Sequence, residues 1–158
     1  MNARLILKST ILLSIVFSSC MSKKTVILEG EYYVPRKMDF YAVYEMSESK
    51  LNELITYSEN VNLDTLSNEN RYLVELIRHA VDEEVIRLPF IRIKTTDDED
   101  IMLYMPEQKF ETFDSLNFSE IRRNIVKVNV VAKAEDISYK ETKAFKLNRF
   151  KEINITRK

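Results

Sequence analysis

The sequence predicts an α+β fold, mainly antiparallel β, in which a curled sheet or barrel carries a two-helix insertion. Three observations predict it. Residues 124–135 alternate cleanly: Val126, Val128, Val130, Ala132 and Ala134 share one face, and Lys127, Asn129 and Lys133 the other. Tyr72, Leu73, Leu76, Ile77 and Ala80 instead recur at helical spacing, which gives one buried stripe. Extended and helical stretches come in runs (strand, strand, helix, helix, strand, strand, short helix, strand, strand) and not in strict alternation, the order of an α+β chain.

The elements follow in turn. From Thr25 to Pro35, Val26, Leu28, Tyr32 and Val34 point one way and Glu29, Glu31 and Tyr33 the other, with Gly30 marking a bulge. After a turn at Pro35-Arg36-Lys37, Met38, Phe40, Ala42, Tyr44 and Met46 form a second strand that pairs with the first as a hairpin. Ser47 or Ser49 caps a helix with Leu51, Leu54 and Ile55 on its apolar side. A polar loop, Ser58 to Asp64, leads to a longer helix over about Thr65–Val81, capped by Ser67 or Asn68. Pro89 excludes further helix, so Val85–Lys94 is read as extended, with Asp97–Asp100 turning into a return strand through Ile101, Leu103 and Met105. Phe110, Phe113, Leu116, Phe118 and Ile121 make a short, partly irregular helix that plugs one end of the sheet. After the clean strand comes a turn at Asp136–Lys140. A last strand, Lys143 to Ile155, follows, and its phase slips between Leu147 and Phe150, a bulge.

The second half resembles the tail of an OB-fold, the five-stranded barrel with a helix between its third and fourth strands. Phe90–Met105, Phe113–Ile121, Asn124–Ala134 and Ala144–Ile153 carry that resemblance, and the insertion over 48–82 departs from the simplest barrel. The start of the chain resembles a bacterial lipoprotein. Arg4 and Lys8 precede a short apolar run, Ile11 to Phe17, too short for a bilayer, which needs about 20 residues. Ser18 and Ser19 then precede Cys20, the only cysteine, and Phe17 stands where the family's lipobox usually has Leu. The resemblance implies a signal peptide over 1–19, lipid on Cys20, a tether over 20–24 and a single globular domain over 25–158. Lys23 and Lys24 do not match the acidic sorting signals of such proteins, which points to the outer membrane facing the periplasm.

Composition fits this reading. Removing residues 1–19 from 158 leaves 139, enough for one modest core. One cysteine permits no internal disulfide, so the core alone must hold the fold. The formal charge of −1 becomes −3 once Arg4 and Lys8 are removed. The charge is segregated: residues 45–121 hold 18 acidic and 7 basic side chains, net −11, and residues 122–158 hold 11 basic and 4 acidic, net +7. The two segments either face each other or leave a basic surface for a partner; internal complementarity needs no outside partner and is expected.

Catalytic chemistry finds little support. The chain has no G-x-S-x-G, H-E-x-x-H, P-loop or dinucleotide-binding pattern, and its one glycine leaves no Gly-rich phosphate loop. His79, the only histidine, lies at the edge of the helical stripe and is read as structural. Asp97-Asp98-Glu99-Asp100 lacks Ca²⁺-loop spacing and is read as a hairpin turn. No cofactor or metal is expected beyond the lipid on Cys20. The expectation is a non-catalytic, membrane-anchored module that binds a protein or peptide of the envelope, with an immunity-like inhibitor or assembly factor as particular forms. The alternative is an oligosaccharide-binding barrel. Tyr33 and Tyr41, which face outward, and Lys146 and Arg149 in the basic last strand are the candidate contacts; nucleic acid is not an expected partner.

Overall fold

The computed structural model describes residues 23–35 and 46–158. Five strands close into a barrel: β1 (Thr25–Tyr33), β2 (Phe90–Thr95), β3 (Asp100–Tyr104), β4 (Val126–Asp136) and β5 (Ala144–Arg157), in the spatial order β1-β2-β3-β5-β4. All neighbours are antiparallel except β3 and β5, which run parallel and close the barrel through Met102–Tyr104 against Ala144–Lys146. Helices α3 (Glu107–Asp114) and α4 (Phe118–Arg122) lie between β3 and β4. Helices α1 (Glu48–Asn60) and α2 (Asn68–Asp82) form the insertion between β1 and β2. The architecture is the expected α+β one, an OB-like barrel with a helical insertion.

The alternation in β4 dictates the core. Val128, Val130, Ala132 and Ala134 are fully enclosed, and Ile91, Ile93, Ile101 and Leu103 meet them from β2 and β3. Small Ala132 and Ala134 leave room for the plug. Phe113 of α3 enters the barrel end, edge-on to Tyr32 at 5.3 Å and 5.7 Å from Phe150, ring geometries that add to plain burial. Ile121 of α4 completes that end. The break between the two short helices is set by Asn117, whose side chain accepts from Ser119 N and starts α4 afresh.

The phase slip in β5 is two bulges. Val131 pairs with Glu152 and Ala132 with Phe150, so Lys151 is extra; Lys133 pairs with Arg149 and Ala134 with Leu147, so Asn148 is extra. Each bulge flips the facing, which keeps Ile153, Phe150 and Leu147 inward despite their uneven spacing.

Several expectations shift. Gly30 is not a bulge: β1 holds continuous register with β4 through it. A Cβ there would lie 2.5 Å from both Ile93 Cγ2 and the Lys94 carbonyl oxygen, so glycine is required by close approach to β2. The expected strand over 38–46 lies, but for Met46, outside the described residues. At Gly30–Tyr32 both edges of β1 are taken, by β2 and β4. The extended segment begins at Phe90, not Val85, because residues 83–89 turn, with Glu84 at φ 57° and Val85 buried. The longer helix begins after Ser67, whose hydroxyl accepts from Asn70 N. Its buried residues are Val74 on one side and Leu76 and Ala80 on another, while Leu73 is exposed.

The insertion is fastened to the barrel at two places. Ala80, Val85, Ile86 and Leu88 pack on the outward side chains of Phe90, Met102, Tyr104 and Ala144, making a second, external core. Burial there pushes the Tyr104 hydroxyl up to about 12. Further along α2, His79 Nε2 lies 2.8 Å from the Ile137 carbonyl and its ring lies against Tyr139, while Tyr72 bonds Thr142. α1 packs on α2, where Arg78 donates to the carbonyls of Ser58 at 2.6 Å and Val61 at 3.2 Å, capping the end of α1.

Candidate functional site

The strands of an OB barrel that commonly take ligands are the second and third, flanked by the loops after the first and fourth strands. Here much of that face is spent. The insertion covers the outward residues of β2 and β3 at one end, and α2 is bound to the loop between β4 and β5. The open concave surface lies elsewhere, on the outward faces of β1, β4 and β5 with the margin of β2. There the sheet folds a groove of about 950 Å³, in the size range of small-molecule sites.

Strand register arranges the lining in rungs. Glu29, Val131 and Glu152 form one; Glu31, Asn129 and Asn154 form the next, one pleat along. Val131, at the centre of the first rung, puts an apolar patch in the floor; Gly30 adds only backbone there. Neighbouring contacts fix several side chains. Lys127 Nζ lies 3.0 Å from Glu31 Oε2, and Asn154 Nδ2 donates to Glu152 Oε1 at 2.7 Å. Asn124 also lines the groove, at φ 56°, a left-handed conformation that asparagine tolerates well. The Glu29 carboxylate has no ion-pair partner among the described residues.

Tyr33 stands at the β2 margin of this groove, as an outward-facing residue of β1 should. Its hydroxyl is bonded to Asp100, and the Arg92 guanidinium sits 5.9 Å from its ring centre. Partial burial, then the Asp100 bond, push the phenol up to about 12 against the opposing pull of Arg92. Arg92 Nε in turn donates to Asp100 Oδ1 at 3.1 Å, so ring, guanidinium and carboxylate form one fixed unit.

The other expected contacts do not join it. Lys146 faces outward on the far side of the barrel, where Nζ donates to the Glu83 carbonyl at 3.2 Å and lies 3.9 Å from Glu84 Oε2. Arg149 is exposed, directly opposite Lys133 on the outer face. Tyr41 and Cys20 lie outside the described residues. His79 belongs to the fastening of α2. Asp98 turns the β2–β3 hairpin at φ 63° and pairs with Lys94 at 2.8 Å. The acidic and basic halves of the chain do meet, through Lys146 with Glu84, Lys140 with Glu75 and Arg157 with Glu120.

Sequence reasoning missed Glu29, Asn129, Glu152 and Asn154, because each reads alone as a solvated strand position. The signal was there in combination. An apolar Val131 at an outward position, the only glycine in mid-strand, and several outward asparagines depart from the Lys/Glu pattern of an ordinary wet face. No family model matches the chain, and no curated protein or solved structure matches it.

Proposed function

We propose that this protein is a non-catalytic binding module of the cell envelope, held at the membrane by lipid on Cys20, and that the groove over β1, β4 and β5 is its working surface. The observation that carries the second part is the groove itself: a concave surface lined mostly by polar residues, several of whose side chains are held by their neighbours. Lys146, the expected contact in the basic last strand, is engaged with the insertion. This moves the proposed contact surface away from Lys146 and toward Tyr33 and the Glu152–Asn154 end of the last strand. The partner is an envelope component, protein or polymer, presented near the membrane; the short tether over 20–24 keeps the domain there.

Two measurements test the two parts. Cys20→Ser should abolish palmitate labelling and release the protein to the soluble fraction; undiminished labelling refutes the anchor. A photo-reactive residue placed at Asn129 in the full chain should give an adduct in intact cells. The adduct should disappear when Val131→Arg fills the groove. The same residue at Glu53, on the exposed side of α1, should give none. Equal yields at the two sites would refute the groove as the working surface.

A further inference from the structure

We infer that the groove is a saccharide site, built for a short run of neutral or amino-bearing sugars. The inference rests on the groove being the working surface and names its ligand class. Three features of the lining point there together. The first is the chemistry of the walls. Carboxylates and primary amides present two polar atoms in one plane, a match for the adjacent hydroxyls of a pyranose ring, and each amide both donates and accepts. Asn129 and Asn154 face each other across the β4–β5 ladder, with Glu31 completing the rung and Asn124 on the lining beside them.

The second feature is the floor. Sugars carry apolar C–H faces as well as hydroxyl edges. Val131, in the middle of the first rung, gives an apolar patch flanked by polar side chains, and Tyr33 stands at the margin. A peptide-binding groove of this size would be expected to offer a deep apolar pocket for an anchor side chain, and this floor has none. The third is charge. Of the four lining carboxylates, Asp100 is paired with Arg92 and Glu31 with Lys127, while Glu29 and Glu152 have no ion-pair partner among the described residues. Phosphorylated and uronic sugars are therefore repelled, and neutral or aminated ones admitted.

Side-chain preorganisation supports the assignment. The Lys127–Glu31 pair, the Asn154–Glu152 bond and the Arg92–Asp100–Tyr33 unit hold donors and acceptors in place before any ligand arrives. A polar ligand then loses less to ordering of the site.

The test is a titration of the full-length protein in neutral detergent, followed by backbone and side-chain amide resonances. The probes are cellotetraose, the N-acetylglucosamine tetramer, a galacturonate tetramer and tetralysine. One of the first two should shift the Asn129 and Asn154 side-chain amides and Tyr33, saturating below about 10 mM, the weak end of specific affinity. Asn129→Ala should weaken that binding by about tenfold, the worth of one or two hydrogen bonds, while leaving unchanged the resonances of α1 and α2. The galacturonate tetramer should bind at least about tenfold more weakly, in line with a like-charge penalty. Absence of shifts with both neutral probes overturns the saccharide assignment, as does tighter binding of tetralysine. If the Asn129 photo-adduct persists in cells despite either result, the groove remains the working surface and only the ligand class fails.

Discussion

At the scale of the residue, the position most tightly specified is Gly30. An alanine there would normally gain about 0.4–1 kcal/mol from a stiffer unfolded chain. That gain is overwhelmed, because the new methyl would meet Ile93 Cγ2 and the Lys94 carbonyl at 2.5 Å, and one of those is backbone. Gly30→Ala should lower stability by about 2 kcal/mol or more, as overpacking of a rigid site does. Denaturant unfolding measures it, and an unchanged midpoint would sink the close-approach account. This residue also marks a limit of sequence reading. A glycine in mid-strand signals either a bulge or a close neighbour, and only the position of β2 decides between them. Tyr33 was readable from alternation alone. Asn129 and Asn154 were not, since what unites them is a cross-strand register that no local pattern encodes.

At the scale of the element, the last strand gives the sharpest contrast. Lys146 meets the Glu83 carbonyl and the Glu84 carboxylate, whereas Arg149 stands opposite Lys133, two like charges directly across a ladder. Lys146→Glu should therefore destabilise by about 0.5–1 kcal/mol, the scale of a solvent-exposed pair, and Arg149→Glu should be neutral or stabilising by a few tenths. Chemical denaturation of the two single variants checks the opposite signs; equal losses would refute the assigned pairing. The elements themselves were largely legible. The strand 126–136, the β2–β3 hairpin, the aromatic plug and the slip in β5 each carried their own period or turn. What went astray had a tertiary cause. Leu73 shares the helical face of Leu76 and Ala80, three and seven residues on, yet is left exposed while they are buried. Val85 looked like the start of a strand because it is apolar. It is buried in the external core from a turn.

At the scale of the whole molecule, stability should be graded. The barrel has one continuous core, whereas α1 packs mainly on α2, outside both apolar clusters. Val128→Asp should prevent folding outright, since an unpaired charge in a sealed site costs several kcal/mol, comparable to the whole stability of a domain. Leu51→Asp should instead loosen the helical pair and spare the barrel. Hydrogen exchange separates the outcomes: lost protection in α1 with β4 still protected is expected, and simultaneous loss in both would show a single cooperative unit. The ladder between β1 and β4 has a further consequence, in time. It joins Leu28 to Ala132, so the first strand to leave the ribosome finds its main neighbour only after nearly the whole chain has followed. Closing so long a loop must precede any reward from the contacts it makes, which places barrel formation late and makes it slow. Until then the β4-facing edge of β1 stays unpaired, an interval in which the chain is most open to misassociation.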